Sequence, residues 1–212
     1  MNSFTEHTGL IAVLNRNNVD TDQIIPKDFL KSIKKTGYGE HLFEDWRYSE
    51  NGKINSDFEL NQPRFKGASI LVTGNNFGCG SSREHAVWAV VQYGIAVVIA
   101  PRKESIPGFA DIFRNNSTKN GLLLIELKED EVAQLIKMVE AHEGLKATVD
   151  LPAQKIILQF SDQHLAEGER EFSFQINAGV KQHFLEGLDE IGRTLKYEND
   201  ITAFEKTHSA QM

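Results

Sequence analysis

The stretch from Ser69 to Ala100 constrains the fold more than any other part of this sequence. It runs from Ser69-Ile70-Leu71-Val72-Thr73-Gly74 through a turn dense in glycine and serine, then through Ala86–Gly94, and out along Ile95-Ala96-Val97-Val98-Ile99-Ala100. The two outer segments have strand length. The second is continuous and β-branched, the pattern of a strand buried on both faces. The middle segment has helical length and closes on a glycine. Strand, helix and strand in this order predict a βαβ unit, which places the chain in the α/β class. The turn then sits at the carboxyl end of the first strand, where open α/β sheets bind ligands.

That turn reads Asn75-Asn76-Phe77-Gly78-Cys79-Gly80-Ser81-Ser82-Arg83-Glu84-His85-Ala86. Ser81 and Glu84 have the spacing of a capping box, which predicts a helix starting at the serines, with Glu84 as the cap partner. The first N–H groups of a helix lack partners and carry partial positive charge. Arg83 adds a planar donor fork beside them, so the turn suits a carboxylate or a phosphate. Spacing alone fits a plain serine-capped helix with a surface arginine equally well. The glycines match no other standard loop: the third glycine of a dinucleotide fingerprint and the Gly-Lys-Ser/Thr of a phosphate loop are both missing. Nor does a glycine stand two residues after Ser82, as a hydrolase elbow requires. Cys79 and His85 are six residues apart and His85 falls inside the helix, so a nucleophile–base pair is the weaker reading. A packed thiol and a structural histidine are the stronger one, and Trp46 and Trp88 read as packing residues.

Elsewhere, Gly9–Leu14 reads as a first strand, followed by a polar turn carrying Asp20-Thr21-Asp22. Residues 36–67 have little periodicity and read as a long irregular excursion, with a short helix near Gly39–Trp46. Such segments are usually functional or partner-bound. Further elements are predicted as a helix at Phe109–Asn115, a strand at Gly121–Glu126 and an amphipathic helix over 129–142. The last places Val132, Leu135, Ile136 and Val139 on one stripe. Strands follow near 147–151, 155–160 and 171–176, then helices near 179–187 and 199–206, with a frayed tail over 206–212.

At 212 residues one sizeable core is expected, and the whole chain is read as a single domain. The net charge of −7 argues against a general nucleic-acid binder. No apolar run approaches the roughly 20 residues that span a bilayer. The amino-terminal residues lack a basic flank and an apolar stretch, so the expected location is cytoplasmic. Cys79 is the single cysteine. It permits no intramolecular disulfide, and it is far short of the three or four thiolates that typically hold an iron–sulfur cluster.

The run Gly78-Cys79-Gly80-Ser81-Ser82-Arg83-Glu84-His85-Ala86 resembles the signature of the aconitase-superfamily swivel domain. Other segments are similar, in order, to that superfamily's separate small subunits of the bacterial isopropylmalate dehydratase type. They are Asn18–Leu30, Gly39–Phe43 with Asp45-Trp46-Arg47, Phe109–Phe113 with Asn115-Asn116-Ser117, and Gly187–Gly192. The resemblance implies a single swivelling β/α domain, like the aconitase C-terminal domain, with a central βαβ unit and a mixed sheet. It implies a hydro-lyase that interconverts 2-isopropylmalate and 3-isopropylmalate by dehydration and rehydration in leucine biosynthesis. It implies that no cofactor is bound by this chain and that a partner large subunit carries a [4Fe–4S] cluster, whose iron acts as Lewis acid.

By the same resemblance Ser81 is the proton-transferring base, acting as an alkoxide, while Ser82 and Arg83 hold a substrate carboxylate. Thr21 borders the pocket and offers a hydroxyl. Phe29 and Leu30 fall where relatives tune substrate choice, although a core-facing pair opening a short helix fits them as well. The two acids of Asp20-Thr21-Asp22 complete no calcium-loop pattern. The second carboxylate clamp stays open among Lys31, Lys34, Lys35 and Arg47. Arg102–Gly108 is an insertion where relatives run almost directly into Phe-Ala-Asp-Ile-Phe, and it falls on the ligand side of the sheet. Two alternatives stand beside this reading. One is a related hydro-lyase acting on citraconate/methylmalate, homoaconitate or maleate. The other is a non-catalytic anion-binding module.

Overall fold

Residues 2–31, 35–160, 171–188 and 190–208 are described by the structure, a computed structural model. Its strands are β1 (Glu6–Leu14), β2 (Ile70–Thr73), β3 (Val97–Arg102), β4 (Leu123–Lys128), β5 (Lys146–Asp150), β6 (Lys155–Gln159) and β7 (Glu171–Ser173). Its helices are α1 (Thr21–Ile24), α2 (Glu44–Arg47), α3 (Glu84–Tyr93), α4 (Asp111–Asn120), α5 (Glu129–Ala141), α6 (Ala178–Glu186), α7 (Glu190–Leu195) and α8 (Glu198–His208). The strands form one sheet in the order β4-β3-β2-β1-β5-β6-β7.

The sheet is mixed, and β1 is where its character changes. Ile11–Leu14 pair in parallel with β2, whereas Glu6–Leu10 pair antiparallel with β5. On the β2 side every pairing is parallel, and β2 and Val97–Pro101 of β3 are wholly buried. Apolar runs of this kind need cover on both faces. Helix α5 packs across β1, β3 and β4, presenting the buried stripe Val132, Leu135, Ile136 and Val139 predicted from its periodicity. On the other side, β5 and β6 alternate buried and less buried residues, as expected of antiparallel strands with one wet face. The predicted βαβ unit is β2-α3-β3.

Of three expectations, the first and third need correction, and the second is met with added packing. First, α3 starts at Glu84, not at the serines. Its N-cap is Arg83, with extended backbone and no side-chain cap. The Ser81 carbonyl faces α1 instead, accepting from the Thr21 hydroxyl at 2.9 Å. Glu84 caps nothing and instead accepts from Asn120 Nδ2 at 2.8 Å. Second, the excursion over 36–67 has little regular structure beyond α2 and single 3-10 turns, yet it is packed: Tyr38, Leu42, Phe43, Phe58, Leu60 and Phe65 are buried. Arg16 secures it, lying 4.5 Å over the Trp46 ring and bonding both carboxylate oxygens of Glu59. Third, α4 begins two residues after Phe109 and runs on to Asn120, and α7 follows α6 where no helix was expected. Of the expected frayed tail, Lys206–His208 belong to α8, and 209–212 lie outside the described residues.

Candidate active site

The loops after β1, β2 and β3 meet at the carboxyl ends of the parallel strands, and the serine turn lies between the other two. On one side Asn75 N–H donates to Asn17 Oδ1, and the N–H groups of Gly78 and Cys79 donate to the Val19 carbonyl. On the other, the N–H groups of Asn76 and Phe77 donate to the carbonyls of Pro107 and Gly108, and Ala110 N–H donates back to Phe77. The Arg102–Gly108 segment is therefore part of the frame of the turn. It is fixed from below by Glu126, whose Oε1 accepts from Gly108 N–H at 2.7 Å and from Arg114 at 2.8 Å.

Two glycines let the turn fit this slot. Gly78 has φ +75°, and a Cβ there would lie 2.2 Å from Phe113 Cγ. Gly80 has φ +88°, and its Cβ would lie 2.1 Å from Asp20 Oδ2. Both positions exclude side chains by conformation and by contact. The short helix α1 then holds the turn through successive residues. Asp20 is its N-cap in a complete capping box, accepting from Asp22 N–H at 2.7 Å while Gln23 Oε1 accepts from Asp20 N–H at 2.8 Å. Thr21 donates from its backbone N–H to the Cys79 carbonyl, and its hydroxyl donates to that of Ser81. Asp22 pairs with Arg83 through one carboxylate oxygen and with Lys27 through the other.

The result is a hollow of about 250 Å³ lined by Thr21, Gly78, Gly80, Ser81, Arg83 and the first turn of α4, including Ile112. Ser81 is exposed on its rim, and the Arg83 side chain is only 13% exposed. Larger hollows exist, such as one of about 710 Å³ lined by Glu40, His41, Glu44, Asp45 and Glu50. Its carboxylates suit no anion, and it lies away from the serine turn. Of the residues singled out from sequence, Ser81, Arg83 and Thr21 come together here. Thr21 is buried and has spent its proton on the Ser81 carbonyl, so it forms a wall and not a free donor. Ser82 is exposed in the same turn but outside the lining. Phe29 is also outside it, stacked on His41 at 3.7 Å. The Leu30 side chain lies outside the described residues, as does Lys34.

Cys79 and His85 do not form a catalytic pair. Burial pushes the Cys79 thiol up from its ordinary pKa, and the negative charge of Asp20 pushes it further. A thiol of that kind is a poor nucleophile at neutral pH. The His85 ring packs against Tyr38 at 5.1 Å and Trp88 at 4.7 Å. Asp22 is the contact of Arg83 that the sequence did not reveal. It stood in the quoted Asp-Thr-Asp motif, but its pairing with Arg83 spans 61 residues and leaves no local signal.

Comparison with known proteins gives this geometry a family. Residues 1–130 match the aconitase C-terminal domain. Over 209 residues, 97% of this chain and 95% of the relative, the sequence is 55% identical to the 3-isopropylmalate dehydratase small subunit of Desulforapulum autotrophicum. The chain belongs to the 3-isopropylmalate dehydratase small-subunit family. A solved structure of 3-isopropylmalate dehydratase from Methanocaldococcus jannaschii superposes with a TM-score of 0.61 at 26% identity, covering 94% of this chain and 99% of that one. The aconitase-like α/β fold with its mixed sheet, expected from the motif, is thus the fold found. The matched 130 residues hold β1 to β4 and every loop of the site. As a dehydratase small subunit the chain has a large-subunit counterpart by name. Its own residues do not fit an iron–sulfur cluster: Cys79 is the single cysteine, and among the described residues no three His, Cys, Asp or Glu side chains gather as a metal site. Nor, among the described residues, is any helix long and apolar enough to cross a membrane.

Proposed function

We propose that this chain supplies the proton-transfer half of a two-subunit isopropylmalate dehydratase site, acting in the cytoplasm in leucine biosynthesis. The observation that carries it is the placement of Ser81 and Arg83 on one small hollow at the mouth of the parallel strands, with the start of α3 beside them. Reversible dehydration of a 2-hydroxy dicarboxylate removes a proton from the carbon next to a carboxylate. A serine hydroxyl is a weak base in water, and its anion needs donors and positive charge close by. The N–H groups at the start of α3 and the Arg83 guanidinium supply both. Arg83 also offers a carboxylate two parallel hydrogen bonds, which a lysine does not. Ser81 takes the proton, Arg83 with Ser82 holds the carboxylate, and Thr21 holds the Ser81 backbone in place.

The cluster is proposed for the large subunit, so only the proton side of the reaction is assigned here, and the complete site forms at the interface between subunits. Ile112 gives the rim an apolar edge, in keeping with an isopropyl substituent; Phe29 and Leu30 are proposed to act on substrate choice from the neighbouring 27–31 segment. Residues 1–212 are taken as a single unit, supported by one hydrophobic cluster running from β1 to α6.

The test is an anaerobic assay with 2-isopropylmalate, following absorbance of the unsaturated product, with and without a cluster-loaded large subunit. Turnover is expected only in the mixture. Ser81→Ala should lower kcat by about 100-fold or more, the scale of a lost general base. Because Ser81 is exposed, its thermal midpoint should not move. Turnover from this chain alone would sink the split-site reading.

A further inference from the structure

Among the residues of α1 that grip the serine turn, Asp22 is the one whose grip falls on a side chain with a chemical task. Asp20 fills the space under Gly80 and Thr21 binds backbone, but Asp22 takes the guanidinium of Arg83. Its backbone is itself fixed, since its N–H is bound by the Asp20 cap. The side chains grade outward from Arg83 at 13% exposed, through Asp22 at 32%, to Lys27 at 70%.

Two physical needs meet here. An arginine is long and rich in rotamers, and a ligand that must order it on binding loses affinity. An acid beside it solves that problem but cancels its charge. Lys27, 3.2 Å from the second oxygen of Asp22, offsets the acid, so the three groups together keep one net positive charge. We propose that Asp22 is a positioning residue: it holds Arg83 in the attitude that meets a substrate carboxylate, and Lys27 neutralises it so that Arg83 stays effective as a cation. The inference rests on the reading that Arg83 binds a carboxylate.

The experiment has two arms. In the first, Asp22→Asn, Arg83→Lys and the double variant are assembled with cluster-loaded large subunit and their steady-state constants measured. Asp22→Asn should raise KM about 10-fold with kcat changed less than about 3-fold, the mark of lost substrate positioning. The double variant should be no worse than Arg83→Lys alone, because both changes remove one function. An unchanged KM overturns the proposal. So does a fall in KM, which would mean that Asp22 competes with the carboxylate. Effects that multiply in the double variant also overturn it.

In the second arm the isolated chain is treated with phenylglyoxal and the labelled peptides counted by mass spectrometry, with the well-exposed Arg102 as internal reference. Asp22→Asn should speed labelling of Arg83 several-fold relative to Arg102, and equal rates overturn the proposal. If the wild-type mixture gives no turnover, the dehydratase reading fails, while this second arm still decides whether Asp22 holds Arg83.

Discussion

Gly80 is where the shape of the turn and the packing of the Asp20 cap meet. A methyl group there opposes both a φ of +88° and a carboxylate oxygen 2.1 Å away. Gly80→Ala should therefore cost about 1–3 kcal/mol in chemical denaturation and displace Ser81, removing turnover with it. Cys79, one residue earlier, should behave in the opposite way. Its raised pKa leaves little thiolate at neutral pH. Cys79→Ala is accordingly expected to keep turnover in the reconstituted enzyme, and iodoacetamide should label the wild-type thiol more slowly than free cysteine at pH 8. The turn that brings Ser81 and Arg83 to the hollow was legible in the sequence because the motif is local, whereas the place of Ser82 outside the lining was not. Thr21 was legible only as a pocket neighbour, since its use on the Ser81 carbonyl joins residues 60 apart. The Asp22–Arg83 pair was not legible, because charges in separate loops carry no pattern in a single chain.

At the scale of elements, periodicity read the long pieces well and caps read the short ones poorly. The buried stripe of α5 follows from its spacing alone. The start of α3 does not, because Ser81–Glu84 has capping-box spacing while the serines are held in the turn by a tertiary contact with Thr21 and the helix begins at Glu84. The true capping box lies in the four-residue α1, too short for periodicity to mark. Removing it by Asp20→Ala should cost about 1 kcal/mol, measurable as a shift of the urea midpoint at constant m-value. The loop after β3 depends on a different anchor. Glu126 binds Gly108 N–H and Arg114, and its side chain is only 13% exposed. Glu126→Ala leaves these donors without their acceptor, a change of about 1–3 kcal/mol. Amide exchange should then rise over 103–110, and it should rise in the serine turn as well, since Asn76 and Phe77 bond to that loop.

For the molecule as a whole, the sequence disclosed the family and the α/β class but not the joint at β1. A strand with one partner type on its first half and another on its second has no signature of its own. Its first residues, Glu6–Thr8, precede the apolar run at Gly9–Leu14 that marks the strand, because polar side chains with one partly buried face carry no apolar signal. That joint carries a titratable group. His7 Nε2 lies 2.8 Å from Ser69 Oγ, where the antiparallel half of the sheet meets the segment entering β2. Burial lowers the His7 pKa below the ordinary histidine value. A lowered value means that the unfolded chain binds the proton more readily than the folded one, so acid favours unfolding. The contribution of neutral His7 is therefore complete above the unfolded value of about 6.5 and declines as pH falls toward the folded value. Unfolding free energies measured by urea from pH 7.5 to 5 should fall more steeply in the wild type than in His7→Gln, which keeps a polar partner for Ser69 without the titration. Parallel curves for the two proteins would show that the acid sensitivity arises elsewhere.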